Sequence, residues 1–175
     1  MRKYIFDVDG TLTPSRSRID ESFEPWFLDF CTRNEVYIVT GSDYKKTQEQ
    51  LGDGILHQAV RVYACSGNDM WIDGRRRSTS VWQAKEDLLS TLELFLSISK
   101  FIIRTGKHIE HRPGTLNFSV VGRNASKSDR KAYVEWDEKT KEREKFAKKL
   151  NTLFSKTFHV RDWQHTFDLL KEIGD

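Results

Sequence analysis

Lys3-Tyr4-Ile5-Phe6-Asp7-Val8 is a short β-prone run that stops at Asp9-Gly10, as a strand ending in a turn does. It leaves Asp7 and Asp9, two positions apart, at the carboxyl edge of a strand. Two carboxylates that close raise one another's pKa or recruit a cation, and magnesium is the natural one. Taken alone, the pair is a weak signal and reads more readily as turn-capping aspartates.

The residues that follow give the strand its setting. Phe23, Trp26, Phe27, Phe30 and Cys31 recur at helical spacing from Asp20, Arg33-Asn34 closes the helix, and Val36 to Val39 reads as a second strand. Thr40-Gly41-Ser42-Asp43 turns the chain, with Ser42 or Asp43 capping a helix through Leu51. Val60 to Ala64 is a third strand that ends at Ser66-Gly67-Asn68. Strand, helix, strand, helix, strand predicts a parallel α/β sheet with right-handed crossovers. Ligands of such sheets bind beyond the carboxyl ends of the strands, where Asp7, Asp9, Thr40 and Ser66 converge.

The pattern changes after Asp73-Gly74. Val81 to Ser99 reads as one long helix. Strands follow at 101–104, 107–112 and 116–121, with a hairpin turn at Arg112-Pro113-Gly114-Thr115. A further helix is predicted over Glu138 to Ser155, with two short strands flanking Asp162-Trp163-Gln164. Residues 1–77 thus form a first, core lobe and 78–171 an α+β lobe built on an antiparallel sheet, with 172–175 starting a return to the core.

Composition narrows the function classes. A formal charge of +3 over 175 residues does not call for nucleic acid or an anionic membrane as partner. No apolar run approaches a membrane span, and the charged opening is unlike a signal peptide, so the expected setting is cytoplasmic. Cys31 and Cys65 fall in apolar stretches and are expected to be buried thiols, with no Cys/His metal spacing. Arg75-Arg76-Arg77, His108, His111 and His165 are assigned no site role.

The whole string Asp7-Val8-Asp9-Gly10-Thr11-Leu12-Thr13 resembles the first signature of the haloacid dehalogenase superfamily, and Val36 to Val39 ending in Thr40 resembles the second. The resemblance implies that Asp7 is a nucleophile forming an aspartyl phosphate and that Asp9 is the general acid and base. It implies that Thr40 hydrogen-bonds the transferring phosphoryl group and that Mg2+ is held at Asp7 and Asp9.

The second lobe resembles the cap of eukaryotic-type phosphomannomutases. Ile109-Glu110, Arg112, Gly114, Leu116-Asn117, Gly122-Arg123 and Arg130 match that family's string, as do Ser42-Asp43 and Gln48-Glu49-Gln50-Leu51-Gly52. The resemblance implies that Arg112, Arg123 and Arg130 clamp the distal phosphate of a hexose phosphate, and that Arg16, Asn117, Thr166 and Asp168 also contact the substrate. A mutase needs two anion sites because its bisphosphorylated intermediate carries two phosphates. The family further implies a product used for GDP-mannose synthesis and a homodimer through the cap, although an aromatic of that dimer interface is His108 here.

Two family features lack counterparts: a lysine expected just after Asp175, and the acidic loop that completes the metal site. Lys171 has the wrong offset. The expectation is therefore an incomplete or naturally shortened phosphomannomutase whose three-strand core has an open edge. The alternatives are a sugar-phosphate phosphatase of the same superfamily, or a non-catalytic sugar-phosphate-binding remnant.

Overall fold

The computed structural model describes residues 2–154 in full and, for 158–163 and 166–171, the course of the backbone alone. The chain divides into two compact units, Met1–Val81 and Trp82–Asp175. The sequence pattern puts the change at 77/78; the division follows the end of a strand that runs to Thr79.

In the first unit β1 (Lys3–Phe6), β2 (Glu35–Val39) and β3 (Arg61–Ala64) pair in parallel, joined by α1 (Glu24–Arg33) and α2 (Tyr44–Gln58). Pro25 and Glu24 suit the first turn of α1, and Arg33 suits its last. The helix lies on the sheet through aromatic edges: Phe6 meets Phe27 at 5.2 Å and Tyr4 meets Phe30 at 4.9 Å between ring centroids. Asp43, one of the two predicted caps, accepts from the Lys46 N–H at 2.9 Å and starts α2, which bends at Gly52. Val8, Phe27, Val36, Ile38, Leu51 and Val62 form the dry centre. Cys31 and Cys65 are free, buried thiols, and burial pushes Cys31 up to about 11.

Past β3 the sheet is longer than the expected three strands, while β1 remains an edge strand among the described residues. Strands β4 (Asp69–Ile72) and β5 (Arg75–Thr79) continue the sheet antiparallel, in the order β1-β2-β3-β4-β5. Asp73 and Gly74 both take positive φ in the two-residue loop between them, which is what a tight hairpin requires. Every residue of β5 is exposed, so it carries no apolar alternation for a pattern to reveal. Arg76 instead reaches buried Asp69 at 3.0 Å and lies over the Trp71 ring, which stacks on Tyr44.

In the second unit α3 (Glu86–Ile98), α4 (Lys127–Thr140) and α5 (Glu142–Phe154) accompany a four-stranded antiparallel sheet. Its strands are β6 (Ile109–Arg112), β7 (Thr115–Phe118), β8 (Phe158–Trp163) and β9 (Thr166–Lys171), in the order β6-β7-β9-β8. Four expectations need correction. Residues 81–85 precede the helix. Residues 101–104 are irregular rather than a strand, with Phe101 turned edge-on to Tyr133 and Arg104 donating to the Leu96 and Ser99 carbonyls at the end of α3. The predicted helix 138–155 is the end of α4 plus α5, broken at Lys141 by a left-handed φ of 54°. Asp162 and Trp163 lie inside β8, not between two strands. The predicted return at 172–175 lies outside the described residues.

Among the described residues, no helix is long and apolar enough to cross a membrane.

Candidate active site

The loop after β1 is built on one buried residue. Val8 is fully buried, and its carbonyl accepts from the N–H groups of Thr11, Leu12 and Thr13 at 3.2, 3.0 and 3.0 Å. Gly10, at φ 84°, closes the turn by donating to the Thr13 carbonyl at 2.7 Å. Pinning Val8 inward turns its two neighbours outward. Asp7, the first residue past β1, is exposed, and none of the described hydrogen bonds or ion pairs engages its carboxylate.

Asp9 is held firmly by contrast. Its Oδ1 accepts from the Arg16 main-chain N–H at 2.8 Å and from the Gln50 side-chain amide at 2.9 Å, while Lys46 Nζ stands 3.6 Å from Oδ2. Burial acts to raise its pKa, but these two hydrogen bonds and the Lys46 charge together outweigh it and hold the carboxyl below its ordinary value. Arg16 takes a left-handed φ of 60° to make its bond, and its side chain is exposed.

The neighbouring strand ends supply the remaining predicted groups. Phe6 pairs with Ile38, so Asp7 and Thr40 end adjacent parallel strands on the same edge. Buried Thr40 accepts from the Ser42 N–H through Oγ1 at 3.1 Å. The loop after β3 is stitched to it: Ser66 donates its N–H to the Thr40 carbonyl and Cys65 donates to that of Ser42. Cys65 and Ser66 both take positive φ there. This edge therefore brings together Asp7, Asp9, Thr40 and Ser66, and α2 adds Lys46 and Gln50. Those two were assigned no role from the sequence. Their i, i+4 spacing on a helix capped at the same edge is the signal that could have found them.

For a cation, Asp7 offers a carboxylate and Asp9 a main-chain carbonyl that accepts none of the described hydrogen bonds. These hard oxygens suit a magnesium ion, which is commonly held by one or two carboxylates with phosphate and water completing its shell. Among the described residues no cluster of three or more acidic, His or Cys side chains is assembled.

The second unit gathers its own predicted residues on one face of a sheet. Alternation along β7 sends Leu116 and Phe118 into the core with Ile109 of β6, and sends Asn117 to the opposite face with Glu110 and Arg112. Glu110 Oε2 lies 3.1 Å from Arg112, 3.0 Å from Arg123 Nε and 3.2 Å from Asn117 Nδ2. Arg130, in the first turn of α4, donates from NH2 to the Arg123 carbonyl at 2.8 Å and from Nε to that of Ala125 at 2.9 Å. Asn117, Arg112, Arg123 and Arg130 therefore belong to one hydrogen-bonded network with Glu110. Asp168 stands opposite Asn117 in the β7–β9 register and Thr166 begins β9; the side chains of both lie outside the described residues, as does His165.

The model of a family described as eukaryotic phosphomannomutase matches residues 25–170. Phosphomannomutase 1 of Homo sapiens is 35% identical over 159 residues, covering 86% of this chain and 61% of that protein. The chain thus spans about three-fifths of the length of that curated relative. Among solved structures, the C-terminal domain of trehalose-6-phosphate phosphatase from C. albicans aligns with a TM-score of 0.65 at 20% identity, over 99% of this chain and 58% of that one. A haloacid dehalogenase-like hydrolase from Bacteroides thetaiotaomicron aligns with a TM-score of 0.62 at 10% identity, over 99% and 72%. At those identities the likeness is one of fold: an α/β core with parallel strands and a second, antiparallel sheet.

Proposed function

Because this chain belongs to the eukaryotic phosphomannomutase family, we propose that it interconverts mannose 6-phosphate and mannose 1-phosphate through an aspartyl phosphate and a hexose bisphosphate. The observation that carries the reading is the contrast within one loop. Asp7 is exposed and unengaged, while Asp9, two residues on, is fixed by Arg16 and Gln50. A nucleophile needs the first condition and a proton-transfer group the second.

An oxygen of Asp7 attacks phosphorus, and the bond from phosphorus to the sugar oxygen breaks. The leaving oxygen takes a proton from the Asp9 carboxyl. In the reverse sense the Asp9 carboxylate removes the proton of the accepting sugar hydroxyl as that oxygen attacks the phosphorus of the aspartyl phosphate. The lowered pKa of Asp9 favours this base form before phosphate arrives, and the approach of an anionic phosphoryl group pushes it back toward the acid form. Thr40 hydrogen-bonds the transferring group. Mg2+ held by the Asp7 carboxylate and the Asp9 carbonyl would supply charge neutralisation there. Lys46, 3.3 Å from Ser42 Oγ and 3.6 Å from Asp9 Oδ2, adds positive charge on the same side.

The second phosphate of a bisphosphate requires a second anion site, and the guanidinium groups of Arg112, Arg123 and Arg130 suit one. Arg16, Asn117, Thr166 and Asp168 complete the proposed sugar contacts. The product, mannose 1-phosphate, is the form from which GDP-mannose is made. A cytoplasmic setting and a homodimer through the second unit belong to the same reading.

Incubation with mannose 1-phosphate, magnesium and a catalytic amount of hexose 1,6-bisphosphate, followed by 31P NMR, tests it. Mannose 6-phosphate should accumulate, and Asp7→Asn should abolish its formation. Inorganic phosphate without isomerisation would reassign the chain as a phosphatase. Saturable sugar-phosphate binding without turnover, unchanged by Asp7→Asn, would reassign it as a binding module.

A further inference from the structure

We propose that Gln50 is the positioning residue of the acid/base carboxylate, fixing which oxygen of Asp9 is offered for proton transfer; this rests on the mutase reading for its chemistry. Gln50 lies in α2, 41 residues from Asp9 in sequence, and is 3% exposed. Its side-chain amide nitrogen contacts Asp9 Oδ1 at 2.9 Å, Thr13 Oγ1 at 3.1 Å and the Ser17 carbonyl at 3.3 Å. The carboxylate and the carbonyl are acceptors only, so the amide orientation is determined: the nitrogen must face the loop.

The opposite end of the same amide is informative. Gln50 Oε1 is buried and has no hydrogen-bond partner among the described residues. A buried acceptor left unmade is unfavourable, and an apolar side chain of similar volume would avoid that cost. The nitrogen is thus held in place despite its oxygen, which is the pattern of a group retained for what it donates to. The main chain of the same residue reinforces the tie, since the Gln50 carbonyl accepts from the Ile19 N–H at 2.8 Å. One residue of α2 thereby holds the loop from Asp9 to Ile19, including Arg16, whose N–H shares Asp9 Oδ1.

With Oδ1 occupied by two donors, Oδ2 remains as the oxygen that exchanges a proton with substrate. Asp9 is otherwise faced by the Lys46 ammonium on the Oδ2 side. Removal of the amide leaves the Arg16 N–H as the one described donor on Oδ1, loosens the Asp9 side chain and leaves the nucleophile in place.

Two substrates that differ in leaving group separate this role from a merely structural one. A sugar phosphate needs its leaving oxygen protonated, whereas p-nitrophenyl phosphate releases a stable anion and does not. Gln50→Leu, with Gln50→Met as a second variant of flexible shape, should lower single-turnover dephosphorylation of mannose 1-phosphate about 10- to 100-fold. Single-turnover release of p-nitrophenolate from p-nitrophenyl phosphate should fall less than about threefold. Equal losses on both would overturn the proposal.

If the unsubstituted chain turned over neither compound, the mutase reading would fail, and the positioning claim would be decided by NMR. Side-chain couplings should report one Asp9 rotamer in the unsubstituted chain and averaging in Gln50→Leu. A single rotamer retained in that variant would overturn the claim.

Discussion

The Glu110 carboxylate sits 3.0 Å from the Arg123 guanidinium, and the same oxygen also contacts Arg112 and Asn117. One internal anion therefore orients the groups proposed to grip an external one. The Arg112 and Arg123 side chains are only 13% and 16% exposed, so removal of Glu110 leaves two poorly solvated cations without that counter-charge. Glu110→Ala should destabilise the chain by about 1–3 kcal/mol. Added inorganic phosphate should raise the melting temperature of the variant more than that of the unsubstituted chain, because the ligand restores the missing charge. Equal shifts in both proteins would mean that phosphate does not bind at these arginines.

Thr40 makes a second prediction. Its hydroxyl accepts from the Ser42 N–H inside a buried loop, so Thr40→Val is close to isosteric yet leaves that donor unpaired, at about 1–2 kcal/mol of stability. The same change removes the hydroxyl proposed to hydrogen-bond the transferring phosphoryl group and should lower turnover about 100-fold. Thr40→Ser should recover most of both. Chemical denaturation and steady-state assays at one temperature give the two numbers.

The first unit was legible from the sequence where apolar period and turn chemistry coincide. The Phe23 to Cys31 stripe gives α1, the runs before Asp7 and Thr40 give β1 and β2, and Asp43 gives the cap of α2. Strand β5 was not legible, because Arg75 to Thr79 are exposed throughout and hydropathy has nothing to alternate with. Helix α4 was missed because few of its side chains are buried, Tyr133 and Asp137 chief among them. Its start is nevertheless written in Ser126-Lys127-Ser128-Asp129, a reciprocal capping arrangement that local polarity reading passes over. The site follows the same division. Asp7, Asp9 and the arginines stand in strings that resemble known signatures, whereas the bonds from Gln50 and Lys46 to Asp9 are long-range and depend on how α2 rotates.

A pH prediction comes from Glu142. Burial raises its carboxyl pKa, and the Asp137 charge adds to the rise, while hydrogen bonds from Ser99 and Tyr133 and the Arg104 charge oppose it. In the window between the unfolded and folded pKa values the native state binds more protons, so stability falls as pH rises through it. The contribution is fully present below the unfolded value and lost above the folded one. Glu142→Gln keeps an oxygen for Ser99 and cannot ionise, so it should stabilise the chain at pH 7 relative to pH 4. Urea midpoints at those two pH values are the measurement, and a gain larger at pH 4 would contradict the assignment.

The last prediction concerns the turn that presents Arg123. Gly122 has φ +91°, and a Cβ there would stand 1.8 Å from the Thr105 carbonyl oxygen. That oxygen belongs to backbone that cannot easily retreat, because the Thr105 N–H and hydroxyl both donate to the Val121 carbonyl, at 3.0 and 2.8 Å. The next residue, Arg123, is tied by its N–H to the Lys107 carbonyl at 2.8 Å, so relief of the clash must shift Arg123 relative to Glu110. Gly122→Ala combines a left-handed backbone conformation with this overlap and should cost about 3 kcal/mol or more, a large share of a domain's stability. Limited proteolysis should then cut within 82–154 faster than in the unsubstituted chain, and phosphate should protect less. An alanine variant with unchanged cleavage and unchanged phosphate protection would show that the turn does not hold Arg123 in place.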